Sequence, residues 1–295
     1  MTARRLCLVL ALAAACPGAT HYLTITGLGG EPEYEQRFAG WGKDIGRALE
    51  EAGGEARVHT LLAPPREKVR AAFEAVAKEA GAGDALVVML IGHGTYDGHE
   101  YKFNLPGPDI SAAEFAALLN RVPAQRQLVV NMTSASGGSV EALAKEGRVV
   151  VTATKSGAER NATVFARYWA EALRDPAADT DKNETVSALE AFRYAERKTK
   201  SFYETEKRLA TEHPMLEDKG AAGPLAASFP LLRLGRNAAA SRDPEKVRLL
   251  AKKEEMEQRI DRLKYQKAAI PEAEYKKQLT ALLLELARTQ EELDR

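Results

Sequence analysis

The sequence predicts an α/β fold in which a mostly parallel six-stranded sheet lies between two layers of helices. Apolar stretches of strand length alternate along the chain with longer stretches whose apolar residues recur every three or four positions. Residues 85–91 are continuously apolar, and residues 148–152 contain three consecutive valines. Such valine-rich runs are typical of parallel strands buried on both faces. This alternation is typical of a sheet covered by helices on both sides.

The elements follow one another in a regular order. The predicted strands are residues 21–26, 56–62, 85–91, 127–132, 148–152 and 229–234. The predicted helices between them are residues 33–52, 65–80, 111–120, 139–145 and 162–173. Because parallel strands end at the same edge of a sheet, and ligands gather beyond that edge, we expect functional residues directly after the strands.

The chain divides into three parts by composition: a leader over residues 1–18, the α/β domain over residues 19–240, and a C-terminal segment over residues 241–295. The last segment contains no glycine, and its apolar residues keep the spacing of a coiled-coil stripe on both sides of Pro271. Proline is tolerated at the start of a helix. The segment is therefore predicted to form a helical, coiled-coil hairpin, which could also self-associate between chains.

The N-terminus has the pattern of a signal peptide. Arg4 and Arg5 precede an apolar stretch that is too short to span a bilayer. Both cysteines of the chain, Cys7 and Cys16, lie in this region, so the mature protein is expected to lack a disulfide and a catalytic thiol. The residues before Cys16 loosely resemble a bacterial lipobox. We expect an exported protein, periplasmic, secreted or lipid-anchored, which contacts a membrane only if Cys16 is lipidated.

The charge of the chain argues against nucleic acid as a partner. Lys and Arg together number 42, as do Asp and Glu. A balanced chain has no net field that would draw it to a polyanion.

Two motifs lie where consecutive strands of the predicted sheet end. The third strand leads into His93, which is flanked by Gly92 and Gly94. The fourth leads into Ser134 and then Ser136-Gly137-Gly138. A histidine at such a position is a candidate general base, because its ordinary pKa lies near neutral pH.

This pair of motifs resembles that of the caspase and legumain superfamily of cysteine peptidases, including its bacterial members. The resemblance covers about residues 21–234 and implies a caspase-like three-layer αβα sandwich. It places His93 on the catalytic histidine and Gly94 on the glycine whose amide helps to stabilise the oxyanion. Ser134 falls where the family has its nucleophilic cysteine.

The loop after the fifth strand also follows from the resemblance. In legumain-like enzymes this loop helps to form the substrate pocket, which implies a binding role for four residues here: Lys155, Ser156, Glu159 and Arg160. The alternative is that the loop is an ordinary helix N-terminus, in which Ser156 or Asn161 caps the helix.

The replacement of cysteine by serine leaves three functional interpretations open. A serine hydroxyl needs a well-aligned base to act as a nucleophile, whereas a thiol is partly ionised without one. We predict an exported pseudo-peptidase that binds a peptide or protein partner across the His93 and Ser134 rim. The alternatives are an active peptide hydrolase that uses Ser134 with His93, and a structural envelope protein assembled through its C-terminal helices.

None of these interpretations requires a cofactor, but one loop has the pattern of a calcium site. Six residues occupy positions 1, 3, 5, 7, 9 and 12 of an EF-hand-like loop: Asp179, Asp181, Asn183, Thr185, Ser187 and Glu190. The sixth position, which normally needs glycine, is Glu184. The alternative is that the acidic residues only solvate a turn and cap the next helix.

Overall fold

A computed structural model describes residues 18–52, 56–218 and 225–295 of the chain. Its strands are β1 (Thr20–Thr26), β2 (Ala56–Leu61), β3 (Ala85–Ile91), β4 (Gly94–Tyr96), β5 (Tyr101–Phe103), β6 (Ile110–Ser111), β7 (Arg126–Asn131), β8 (Arg148–Thr152), β9 (Thr185–Ser187), β10 (Met215–Asp218) and β11 (Pro230–Arg233). Its α-helices are α1 (Pro32–Ala52), α2 (Arg66–Glu79), α3 (Ala112–Arg121), α4 (Val140–Leu143), α5 (Phe165–Ala172), α6 (Ala188–Thr205), α7 (Gly235–Ala240), α8 (Pro244–Tyr265) and α9 (Glu272–Leu293).

The central sheet has six strands in the order β10-β8-β7-β3-β1-β2. Five of them are parallel, and β10 pairs with β8 in the antiparallel direction. The predicted fold class, an αβα sandwich around a mostly parallel six-stranded sheet, is confirmed.

The identity of the sixth strand corrects the sequence prediction. The stretch predicted at 229–234 forms β11, but β11 pairs with β9 in a separate two-stranded sheet. The edge of the central sheet is instead β10, whose sequence MLED has no apolar run. An antiparallel edge strand needs no such run, because it is not buried on both faces.

Each face of the central sheet has its own apolar layer. The side chains of β3 alternate between the two: Val87, Met89 and Ile91 pack on the face of α1, α5 and α6, whereas those between them pack toward α2 and α3. Burial on both faces explains why β3 is apolar at every position. A small three-stranded sheet, β4-β5-β6, follows β3 directly and was not predicted.

The C-terminal segment forms the predicted helical hairpin, while its coiled-coil character stays a prediction. Helices α8 and α9 pack together through Ile260, Leu263 and Leu282. They run in opposite directions, since Lys246 near the start of α8 donates a hydrogen bond to the carbonyl oxygen of Leu293 at the end of α9.

The leader predicted for the N-terminus, with Cys7 and Cys16, lies almost entirely in residues 1–17, outside the described residues. Export and lipidation therefore stay predictions. Within the described part of the chain, no helix has the length and apolar character needed to cross a membrane.

Candidate functional site

The two predicted motifs meet at the carboxyl edge of the central sheet. Strands β3 and β7 are neighbours, with Leu90 opposite Asn131, so the loops that follow them lie side by side. The amide N–H of Gly94 donates a hydrogen bond to Ser134 Oγ over 3.1 Å. The Ser134 hydroxyl in turn donates to the carbonyl oxygen of Gly94, also over 3.1 Å.

This reciprocal contact occupies the Ser134 hydroxyl. The residue is only 2% exposed, and its proton is directed to the Gly94 carbonyl oxygen. A serine nucleophile has to transfer that proton to a base. Among the described residues, no hydrogen bond joins Ser134 to His93, so the serine is not activated in this arrangement.

The His93 ring is held by another part of the molecule. It packs edge-on against Tyr34 and Phe38 of α1, with 4.9 and 5.1 Å between ring centroids. Burial lowers the pKa of His93 below its ordinary value, although a hydrogen bond to the Gly29 backbone and the charge of Glu31 act in the opposite direction. The imidazole is therefore mostly neutral near pH 7 and is packed against α1.

A buried polar cluster that the sequence reasoning missed supports the Ser134 loop. The hydroxyls of Tyr101 and Thr133 lie 2.6 Å apart, and both reach the side-chain oxygen of Asn131. Burial raises the pKa of Tyr101, which keeps the phenol neutral. The available signal was Asn131 itself, a polar residue directly after the three apolar residues of β7.

The loop after β8 lies on the same rim, as predicted, but its side chains bind the protein itself. The Glu159 carboxylate accepts hydrogen bonds from the amides of Lys155 and His213, over 3.0 and 3.1 Å. Ser156 Oγ accepts one from Ala158. Arg160 donates to the carbonyl oxygen of Tyr96 over 3.2 Å. Lys155 is exposed.

The capping alternative for this loop is wrong. At the start of α5, the amides of Val164 and Phe165 donate to the carboxylate of Glu212, which is distant in sequence. Glu212 is 2% exposed, and burial raises its pKa to about 7. A residue from beyond α6 thus does what Ser156 or Asn161 was expected to do.

The EF-hand-like loop brings its acidic residues together. Carboxylate oxygens of Asp179, Asp181 and Glu190 lie within 4.8 Å of one another. The Asp179 carboxylate accepts hydrogen bonds from the amides of Asn183 and Glu184, over 3.2 and 3.1 Å. Burial, and then the charge of Glu190, raises the pKa of Asp181.

Glu184 takes the backbone conformation that glycine would take at the sixth position. Its φ is +63°, in the left-handed region that non-glycine residues rarely adopt. Its carboxylate accepts hydrogen bonds from the amides of Arg236 and Asn237 and pairs with the Arg236 side chain. These contacts with the start of α7 hold the strained residue in place.

The rest of the loop caps the next helix, while calcium binding stays a prediction. The Asn183 side chain accepts a hydrogen bond from the Thr185 amide over 2.8 Å. Ser187 and Glu190 form a reciprocal cap at the start of α6, as the alternative prediction requires. Capping uses Glu190 Oε2, while Oε1 accepts hydrogen bonds from the amide and the hydroxyl of Thr180, both over 2.8 Å. The three clustered carboxylates and the Asn183 side-chain carbonyl are oxygen donors of the type that calcium prefers.

Comparison with known proteins gives similarity of structure only. No family model matches the chain, and no curated protein matches it. Among solved structures, it is similar to a protein from Geobacter sulfurreducens, with a TM-score of 0.48 and 14% identity over 69% of this chain and 94% of that one.

Two caspases are similar at the same level. The Drosophila initiator caspase Dronc has a TM-score of 0.47 and 9% identity, covering 69% of this chain and 80% of its own. Caspase-1 from Spodoptera frugiperda has a TM-score of 0.49 and 10% identity, covering 70% of this chain and 88% of its own. Similarity this low concerns the fold and assigns no activity.

Proposed function

We propose that this protein is an exported pseudo-peptidase, which binds a peptide or protein partner at the rim around His93 and Ser134 without cleaving it. The observation that carries the proposal is the reciprocal hydrogen bonding between Ser134 and Gly94. It occupies the hydroxyl at the nucleophile position and also the amide that the resemblance assigns to the oxyanion hole.

Two further observations support a binding role over catalysis. A general base acts within hydrogen-bond reach of the proton it removes, but the His93 ring is packed against α1. In the loop after β8, Lys155 remains exposed at the rim. Its ammonium group lies 3.8 Å from the Glu159 carboxylate of the same loop. A rim with an exposed cation and no activated nucleophile suits recognition of a partner.

The catalytic question is tested with a fluorophosphonate probe and a peptide library. We expect no labelling and no turnover for the wild type, for Ser134→Ala or for Ser134→Cys. Turnover by the wild type that is lost in Ser134→Ala would establish the hydrolase instead. Turnover by Ser134→Cys alone would show that the site is intact except for its nucleophile.

The binding question is tested by selecting peptides on the immobilised protein. We expect Lys155→Glu to weaken binding of the selected peptides, because Lys155 lies on the rim. The matched control is Lys78→Glu, a charge reversal at an exposed position of α2. Equal effects of the two changes would place binding elsewhere.

We also propose that the loop from Asp179 to Glu190 binds calcium. Three converging carboxylates, and a Glu184 backbone held in the conformation that the loop requires, support this second proposal. Calorimetric titration of the wild type with calcium should give a measurable heat of binding. Asp181→Asn should lower the affinity for calcium at least tenfold. The absence of heat at millimolar calcium would remove the proposal.

We also propose that the protein self-associates through its C-terminal hairpin, because this hairpin exposes apolar residues. Leu283 and Leu284 on α9 are 48% and 57% exposed. Sedimentation should show a mass above that of one chain, which Leu284→Glu lowers. A monomeric wild type would remove both this proposal and the structural envelope alternative.

A further inference from the structure

The segment that joins α6 to β10, residues 206–214 and here called the strap, forms no helix or strand. Two consecutive residues anchor it. The Glu212 carboxylate accepts hydrogen bonds from the amides at the start of α5, and His213 binds the loop after β8. Residues 206–210 are all exposed, with Leu209 at 91%. The strap is therefore attached to the rest of the molecule mainly through its two anchors.

His213 connects the strap to the loops of the rim. Its amide donates a hydrogen bond to one oxygen of the Glu159 carboxylate over 3.1 Å, and its ring Nδ1 lies 2.5 Å from the other oxygen. The carbonyl oxygen of Glu159 accepts a hydrogen bond, over 2.7 Å, from the amide of Ala135, which follows Ser134. Glu159 thus links the strap directly to the Ser134 loop.

Glu212 is a buried carboxyl without a cation beside it. It is 2% exposed, and its third hydrogen bond comes over 3.0 Å from Tyr203, a phenol whose pKa burial raises to about 12. Tyr168 of α5 also faces Glu212 and is neutral, because burial raises its pKa. Burial raises the pKa of Glu212 itself to about 7, with the charge of Glu159 acting in the same direction and the hydrogen bonds acting against it.

The charged groups around the anchors do not supply the missing positive charge. Among the described residues, no basic side chain forms an ion pair with Glu212. Arg208 of the strap is exposed, and the exposed Lys155 ammonium lies 3.8 Å from Glu159. The imidazole of His213 loses any positive charge as the pH rises. Ionisation of Glu212 therefore adds a second carboxylate near Glu159 without a second buried cation.

We propose that the strap is a pH-dependent latch on the rim, docked while Glu212 is protonated and released when Glu212 is ionised. An ionised carboxyl is more stable in water than in a buried place near another carboxylate. Release separates His213 from Glu159 and so alters the support of the Ser134 loop. The inference does not depend on peptide binding, because docking is a property of the protein alone.

The direction of the effect follows from the two protonation equilibria of Glu212. In the released strap its pKa is that of an ordinary glutamate, 4.5, and in the docked strap it is about 7. Between these values the docked strap keeps a proton that the released strap has lost. Docking should therefore weaken as the pH rises from 4.5 to 7 and change little above that.

Hydrogen exchange measures docking at the amides that donate to the anchors: Val164, Phe165 and His213. After correction for intrinsic exchange, their protection should fall at least tenfold between pH 5 and pH 7.5. The Val88 amide in the buried strand β3 reports global unfolding and should stay better protected at both pH values. Equal protection of the anchor amides and Val88 would overturn the latch, because the strap would then open only when the whole protein unfolds.

Glu212→Gln tests the sensor, because glutamine keeps an acceptor oxygen and cannot ionise. The protection of the anchor amides should become independent of pH in this variant. Glu196→Gln, at an exposed position of α6, is the matched control and should keep the wild-type dependence. A tenfold fall that persists in Glu212→Gln would overturn the proposal.

His213→Ala keeps the test decisive if Glu212→Gln does not fold. The change removes the ring contact with Glu159 and leaves Glu212 in place. Protection at Val164 and Phe165 should then fall by a similar factor at pH 5 and pH 7.5, so the tenfold difference between the two pH values should remain. Loss of that difference in folded His213→Ala would assign the pH response to His213 and overturn the role of Glu212.

Discussion

The rim around Ser134 and the loop from Asp179 to Glu190 differ in how they satisfy their polar groups. At the rim, each polar group that could do chemistry is bonded to the protein itself, as with Ser134 and Gly94. In the loop, three carboxylates lie within 4.8 Å of one another, and the pKa of Asp181 is raised by burial and by the charge of Glu190.

The difference separates a preserved motif from a preserved activity. The rim keeps the residue positions of its motif. The hydrogen-bonding groups of these residues bond within the protein, which stabilises the fold, and they are not available to a substrate. The loop is electrostatically incomplete, and like charges held together are the condition that a bound cation relieves. On this reasoning, substitutions at the rim should change stability more than binding of small ions, and those in the loop should do the reverse.

The largest effect is expected at Gly137, where the rim is closed by backbone contact. A Cβ atom there would lie 2.2 Å from the amide nitrogen of Ser156, and a backbone neighbour cannot rotate away. Gly137→Ala should lower the free energy of unfolding by about 3 kcal/mol in a denaturant titration. Gly40→Ala in α1, where a Cβ meets nothing within 4 Å, should not be destabilising. Equal stability of the two variants would show that the rim is not closed in this way.

Glu212 behind the rim should produce the next largest effect, and it depends on pH. Burial raises its pKa from 4.5 to about 7. Between these values the folded protein keeps a proton that the unfolded chain has lost, so stability should fall as pH rises from 4.5 to 7 and then level off.

The expected loss over that window is about 2–3 kcal/mol, and Glu212→Gln should not show it. The measurement is chemical unfolding of both proteins across the pH range. Parallel pH profiles for wild type and variant would mean that Glu212 has the same pKa in the folded and unfolded states.

The sequence predicted the parts of this molecule that depend on continuous apolar patterns. Strand β3 is apolar at every position and β8 has three consecutive valines, because both strands are buried on both faces, and both were predicted with their observed bounds. The edge strand β10 has no such signal. The positions of the two motifs at the ends of consecutive predicted strands likewise predicted that the His93 and Ser134 loops would meet.

What the sequence could not supply are contacts between distant segments. Glu212 caps α5 from beyond α6, and Tyr96 packs against Gly138 and Gly157, which lie in two loops that come after it in the chain. The direction of the Ser134 proton is also a result of packing, because nothing in the motif specifies whether the hydroxyl faces Gly94 or His93.

A smaller effect is expected from Ser134→Ala. The change leaves the Gly94 amide and carbonyl without their partner in a buried position, so the free energy of unfolding should fall by about 1–2 kcal/mol. Ser201→Ala, at an exposed position of α6, is the control and should be close to neutral. Equal stability of Ser134→Ala and this control would mean that the reciprocal hydrogen bonds contribute nothing to the free energy of unfolding.

The smallest effect is expected from Asp181→Asn, and its sign should depend on calcium. Without divalent cations, the change removes repulsion from Asp179 and Glu190 and should stabilise the protein by about 0.5 kcal/mol. Asp44→Asn is the control. It removes the ion-pair partner of Arg47, so it should destabilise the protein slightly both with and without calcium.

With millimolar calcium the wild type should gain stability that Asp181→Asn does not, because a ligand stabilises only the state that binds it. The variant then becomes the less stable protein. If Asp181→Asn stayed more stable than the wild type at every calcium concentration, calcium would not relieve the repulsion among the clustered carboxylates. The contrast between the loop and the rim would then no longer hold.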